Sequence, residues 1–409
     1  MRHRREACEG CRPVNSVWDE VVGQPAAVES LSKAAAAAAD LVEGRPGGSG
    51  AMTHAWLFTG PPGSGRSTAA RAFAAALQCL TGTGCGNCPG CRTALAGTHA
   101  DVHRVVPEGL SIAVAEMRAL VQLAARRPST GQWQVVIIED ADRLTEGAAN
   151  ALLKAVEEPP QRTVFLLCAP SDHPDDVSVT IRSRCRVMNL RTPSAGAIAE
   201  VLVSRDGVDQ EAARWAGAVC GGHVGRARRL ATDPAARQRR EAVLRIPVAL
   251  RGPGDVFDAA DELVRAAEAE AAGVSGARDD MEKDELRTAM GADGTGKGAA
   301  AANRAANAAV KQLEVRQRRR ATRTQRDSLD LALIDLAGFY RDVLAAQSRA
   351  TVMRNHPDRA EEVAVVAAAS SPPTTLRRLE AVLGCREAIE LNVKPRIAVE
   401  AMLTTLREG

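Results

Sequence analysis

Apolar and polar positions along the chain fall into three textures. From residue 17 to about 190, short apolar runs alternate with stretches of helical spacing, the pattern of a layered α/β domain. Three of the runs, at 55–59, 134–139 and 163–169, are rich in Val, Ile, Leu or Phe and apolar on both faces, which predicts buried parallel strands. After Arg191-Thr192-Pro193-Ser194 the strand pattern stops, and 192–240 predicts short helices broken at Gly221-Gly222. Residues 241–409 read as helical, with one interruption. The stretch from about 271 to 303 is rich in Gly, Ala, Asp and Lys and predicts a flexible insertion rather than a packed element. Residues 1–16 are expected to be disordered, and no internal repeat is found.

Composition narrows this picture only a little. A chain of 409 residues with 45% hydrophobic and 25% charged residues has room for two or three globular domains. Aromatics are only 2%, so Ala, Leu and Val must do most of the packing. A formal net charge of +3 does not mark the whole chain as a nucleic-acid coat, so any DNA contact must come from local patches or from an assembly. No apolar run approaches the ~18 residues that a membrane span needs, and the basic start lacks the apolar segment of a secretory signal. Cytoplasmic residence is the expectation. In that compartment the 10 cysteines stay reduced, and clustered ones read as metal ligands before disulfides.

The run at 55–59 leads into Gly60-Pro-Pro-Gly63-Ser-Gly65-Arg66-Ser67-Thr68 and then an alanine-rich helix. Strand, glycine-rich loop and helix in this order make a phosphate loop: backbone N–H groups converge on an anion, and the helix N-terminus adds partial positive charge. Ser67 stands where a hydroxyl reaches Mg²⁺. Arg66 stands where the motif has Lys, and a planar guanidinium does not replace a compact ammonium between phosphates. ATP with Mg²⁺ is the ligand such a loop accommodates, while the substitution argues against efficient turnover.

The run at 134–139 ends in Glu139-Asp140. In nucleotide hydrolases an acidic strand end places one carboxylate on Mg²⁺ and the next beside the attacking water. The usual order is Asp then Glu, and the reversal moves each carboxylate by about one methylene, enough to misalign a water. Acids that merely cap the next helix would look the same.

Cys79, Cys85, Cys88 and Cys91 form a Cys-x5-Cys-x2-Cys-x2-Cys array in a glycine-rich stretch. Four thiolates at this spacing suit a closed tetrahedral Zn²⁺ site, structural because no coordination position stays open. Cys8 and Cys11 stand as a pair and do not close a site. Cys168, Cys185, Cys220 and Cys385 read as small buried hydrophobes.

Taken together, these motifs resemble the clamp-loader branch of the AAA+ ATPases. The resemblance is carried by Trp18-Asp-Glu-Val-Val-Gly23-Gln24, the phosphate loop, the cysteines just after its helix, Asn150-Ala-Leu-Leu-Lys154-Ala-Val-Glu157-Glu158-Pro159-Pro160 and Ser183-Arg184-Cys185. It implies a RecA-like domain over 17–191 with a zinc module at 79–91, a helical lid over 192–240 and a helical collar domain over 241–409. Arg184 matches the arginine finger, which reaches the ATP of an adjacent subunit. At the sensor positions this chain carries Cys168-Ala-Pro170-Ser171 and Gly222-His-Val-Gly225-Arg226, and it departs from the family pattern at both. A degenerate site with an intact finger implies a non-motor member, its own ATPase weak or absent. Such a subunit works in a hetero-pentamer with gamma/tau-type motor subunits and a delta subunit, loading a sliding clamp on primed DNA for the DNA polymerase III holoenzyme, a DNA-directed DNA polymerase and so a nucleotidyltransferase. The alternative is a catalytically active gamma/tau-like motor subunit. The run Arg316 to Arg326 holds six arginines in eleven residues and reads as a solvated helix face of the collar, with contact to DNA phosphates as the alternative.

Overall fold

A computed structural model describes residues 16–45, 50–107, 109–290 and 299–409. The chain divides into two compact units. The first runs to Pro107 and resumes from Ser111 to Ala231; the second is essentially Thr232–Gly409.

In the first unit, a 3-10 turn at Val17–Glu20 leads to α1 (Pro25–Glu43), β1 (Ala55–Thr59), α2 (Arg66–Leu77), α3 (Pro89–Ala96) and β2 (Val102–Val105). The chain continues through α4 (Val114–Ala124), β3 (Gln134–Ile138), α5 (Glu146–Glu157), β4 (Thr163–Ala169), α6 (Val179–Arg182) and β5 (Arg186–Asn189). Helices α7 (Ala195–Ser204), α8 (Gln210–Val219) and α9 (Val224–Thr232) follow. The five strands form one parallel sheet in the order β2-β3-β4-β1-β5.

Side-chain alternation explains why the three central strands are apolar throughout. Trp56, Phe58, Val135, Ile137, Val164 and Leu166 enter the core with α1 and α2, while Leu57, Val136, Ile138, Phe165 and Leu167 enter the core with α4 and α5. The outer strands, Val-His-Arg-Val and Arg-Val-Met-Asn, are only partly buried. Their apolar residues are too few for a continuous run, so the hydrophobic pattern does not reveal them.

The second unit holds α10 (Pro234–Ala249), α11 (Pro253–Ala289), α12 (Ala299–Gln347), α13 (Ala360–Ala369), α14 (Pro372–Glu390) and α15 (Pro395–Glu408) around a core of Leu, Val, Phe339 and Tyr340. The division falls at Ala231, earlier than residue 240, because Val243, Leu244 and Ile246 of α10 belong to this second core. The expected flexible insertion differs as well. Helix α11 continues to Ala289 and α12 opens at Ala299, with Ala271 and Ser275 buried; residues 291–298 and 1–15 lie outside the described residues. Gly273 and Gly276 are exposed on α11, where a missing side chain costs only helix propensity and the surrounding alanines supply it. No described helix is long and apolar enough to cross a membrane.

The arginine run divides along α12. Arg320 turns inward to Asp279 and Glu282 of α11, each at 2.6 Å, whereas Arg316, Arg318 and Arg319 are exposed.

Candidate phosphate site, cysteine cluster and arginine edge

The C-terminal ends of β1, β3 and β4 set out the phosphate site, the edge where ligands of open α/β sheets sit. Gly60 N–H donates to the Pro170 carbonyl beyond β4 at 3.1 Å, and Leu190 N–H donates to Thr59 at 2.7 Å, so the loop leaves β1 between two anchored neighbours. Gln24, itself buried, donates to the Ser64 carbonyl at 3.2 Å and to the Arg191 carbonyl, and accepts from Arg191 N–H at 3.2 Å. Loop, N-terminal segment and exit strand are thereby fastened at one amide.

Inside the loop, α2 opens with no side chain capping its N–H groups. Among the described residues the Ser64 hydroxyl and the Arg66 Nη1 are buried without a hydrogen-bond partner. Orphaned donors beside an uncapped helix N-terminus fit a phosphate group. The lid helices close over the same loop. Gly63 has φ of 87°, and a Cβ there would stand 2.7 Å from both Cα and Cβ of His223, so only glycine admits His223 so close. Burial, with the Arg226 charge adding to it, pulls the His223 pKa below its ordinary value and keeps the imidazole neutral.

The acidic strand end is tied to its neighbours. Arg104 on β2 donates to Glu139 Oε1 at 2.5 Å, and Glu139 is buried, so this carboxylate is committed to a neighbouring strand. Asp140 occupies a left-handed conformation at φ 52° and starts the turn Ala141–Arg143. Asp142 was not among the expected site residues. Its carboxyl is pushed up by burial and by Asp140, against the pull of Arg143 and Arg66. Cys168 lies beside Ser67, and burial raises its thiol well above the usual range, so the position offers an uncharged group. Neither Arg104 nor His223 carries a signature in the sequence, since both act by register and lid closure.

The four cysteine sulfurs lie within 4.8 Å of one another, and none is in a disulfide. Cys85 N–H donates to Cys79 Sγ at 3.3 Å, and Cys91 N–H to Cys88 Sγ at 3.5 Å. Burial opposes ionisation of Cys79, yet the Thr81 hydroxyl and the N–H groups of Cys85 and Thr81 bring it to about 5. Burial and the Cys79 charge drive the Cys91 thiol the other way, strongly up. A divalent cation among them relieves that repulsion, and an all-sulfur donor set with N–H donors around it fits zinc. Around the cluster, Gly84 at φ 74° accepts from Val17 N–H at 2.9 Å, and a Cβ there would stand 2.6 Å from Val17. Trp18 Nε1 donates to Thr83 at 3.1 Å, so the cluster also holds the 3-10 turn. Glu20 of that turn pairs with Arg205 at 2.8 Å, tying it to the lid.

Arg184 follows α6 on the surface. Its Nη2 meets Glu157 Oε1 of α5 at 2.6 Å, both side chains being 38% exposed, and Nη1 donates to the Thr180 carbonyl at 2.8 Å. Ser183 is exposed, and burial raises the neighbouring Cys185 thiol to about 12. The structure thus separates the expected residues into three places: loop and acids at the strand ends, cysteines behind α2, and Arg184 with Glu157 at a surface edge.

The family model for the DNA polymerase III delta subunit matches residues 46–194, which takes in all three places. The delta-prime subunit of DNA polymerase III from Bacillus subtilis is 35% identical over 157 residues, 38% of this chain and 47% of that protein. Its Pseudomonas aeruginosa counterpart is 38% identical over 161 residues, 38% of this chain and 48% of that protein. Over this domain the chain is similar to the delta-prime subunits of DNA polymerase III. The tau subunit of Bacillus subtilis DNA polymerase III also matches, at 31% identity over 184 residues, 44% of this chain and 30% of that protein. The chain therefore spans about half the length of these delta-prime relatives.

Proposed function

We propose that this chain works as the delta-prime subunit of a DNA polymerase III clamp loader and supplies Arg184 in trans to the ATP site of a neighbouring motor subunit. The observation that carries the reading is a contrast of two charged groups. Glu139, the acid a local hydrolysis would need, is buried against Arg104, whereas Arg184 is held at the surface by one half-exposed carboxylate. A guanidinium placed there neutralises charge developing on a transferred phosphoryl group, an effect on the order of 10³–10⁵ in rate in GTPases. The phosphate loop, with Gly60, Gly63, Gly65, Arg66, Ser67 and Thr68, is read as a nucleotide-holding element without turnover. Cys79, Cys85, Cys88 and Cys91 would hold a structural Zn²⁺ that fixes the turn at Val17–Glu20. The helical second unit is read as the collar of a hetero-pentamer with gamma/tau and delta subunits, acting on the sliding clamp and primed DNA.

The test is a loader reconstituted with Arg184→Ala. DNA-stimulated ATPase and clamp loading should fall by about 10³, with nucleotide binding by the motor subunits unchanged; full activity would refute the finger. The match to tau favours a second reading, an active motor-type ATPase. Turnover by the isolated chain that is abolished in Arg66→Ala would establish that reading instead.

A further inference from the structure

Helices α11 and α12 pair in antiparallel fashion far beyond the core of the second unit. Near that core, Val256, Ala260, Leu263 and Ala267 pack with Leu329, Leu333 and Leu336. Farther along, the seam continues through Ala271, Ala306, Val310 and Leu313, with Gln317 donating to the Asp279 carbonyl at 2.9 Å and Arg320 pairing with Asp279 and Glu282.

The two outer faces of this pair differ in charge. On α11, exposed residues of both signs occur together: Arg278, Asp280, Asp284, Glu285 and Arg287. On α12, Arg304, Lys311, Arg316, Arg318 and Arg319 are exposed and none makes an ion pair among the described residues. The nearest acid in helical reach, Glu314, faces Lys283 of α11 at 3.6 Å. At a helical step of 100° per residue Arg304, Lys311, Arg318 and Arg319 fall on the side of α12 away from the seam and Arg316 at its flank, the five spread over about 22 Å of axis. Arg316 and Arg319 are like charges at i,i+3, a spacing that disfavours a helix unless an anion faces them.

We propose that this outer face of α12 binds the phosphate backbone of duplex DNA. Its length is about two-thirds of a duplex turn. It carries no aromatic side chain on which an unpaired base would stack, since Phe339 and Tyr340 are buried in the core, which favours a double strand read by charge alone over a single strand. The contact is direct and does not depend on the arginine-finger reading.

Fluorescence anisotropy of the full chain with a blunt 30-base-pair duplex, over a salt series, tests it. The triple variant Arg316→Gln, Arg318→Gln, Arg319→Gln should bind at least 10-fold more weakly, and its slope of log affinity against log salt should shrink by about 2.7, three phosphates' worth. Arg278→Gln with Arg287→Gln on α11 should leave affinity and slope as they were, and circular dichroism should show every variant equally helical. Equal affinity and slope for wild type and triple variant would overturn the proposal. So would tighter binding to polyglutamate of matched charge than to duplex, which would assign the face to an acidic protein, and so would absence of binding by the wild type.

Discussion

Arg66 and Arg184 are the same side chain in opposite circumstances. Arg66 sits in the phosphate loop with Nη1 buried and unpartnered among the described residues, beneath a lid segment that brings His223 onto Gly63. Arg184 stands at a surface edge, with its one carboxylate partner equally exposed. A buried guanidinium nitrogen without a hydrogen-bond partner is costly, whereas an exposed pair is worth about 0–1 kcal/mol and is readily exchanged for a better anion. The contrast bears on the role proposed for Arg184: a guanidinium can act on an incoming phosphate only where release from its resting partner is easy.

The comparison is tested hardest through the cysteines. Removing zinc with a chelator, or replacing Cys91 by Ser, should loosen the segment after α2, the helix that carries Arg66. A loss of roughly 5 kcal/mol, part of the 10–16 kcal/mol available from structural zinc, lowers the first calorimetric transition by about 10–20 °C. Metal analysis finding less than one zinc per chain in the wild type would remove this term.

Asp101, just before β2, serves as a control that contacts neither arginine. Its carboxylate accepts from the N–H groups of Ser129, Thr130 and Gly131 at 2.7, 2.8 and 2.6 Å, and from both hydroxyls. Burial opposes its charge, yet these donors hold the pKa well below the usual carboxylate value. A depressed folded-state pKa means the stabilisation is complete above the unfolded value near 4 and is lost as pH falls below it. Asp101→Asn should cost about 3 kcal/mol at pH 7 in urea unfolding and flatten the acid limb of stability, without changing either arginine's role.

A smaller effect is expected at Glu157. Glu157→Gln should shift stability by less than about 1 kcal/mol and leave loader ATPase within a few-fold; a loss as deep as that of Arg184→Ala would make the carboxylate part of the site and end the contrast. Smallest of all, Arg66→Lys alone should yield no measurable turnover by the isolated chain, because Glu139 remains bound to Arg104. Turnover appearing in that variant would place the whole defect at Arg66.

What the sequence made legible follows from local pattern. The central strands are apolar on both faces, so their runs stand out, and the glycine loop, Glu139-Asp140, the four cysteines and Ser183-Arg184-Cys185 are contiguous motifs. The partly buried outer strands lack such a run, and the glycines and charges at 271–289 disguise a helix whose buried positions are Ala and Ser. The partnerships at the candidate sites, Arg104 with Glu139, Glu157 with Arg184 and His223 over Gly63, join residues far apart in the chain. Strand register and lid packing create them, and neither is written in any short window.

Gln24 links three such distant segments, and its consequence concerns the order of folding. Its amide satisfies Ser64, 40 residues away, and Arg191, 167 residues away. Contacts of such sequence separation are the slow ones, because their loop-closure entropy falls due before any reward. On a ribosome the amide has no second partner until residue 191 has emerged and β5 has docked beside β1. The phosphate loop thus gains its tie through Gln24 to the far side of the sheet only then, and a chain cut short before that point carries every residue of the loop motif without this anchor.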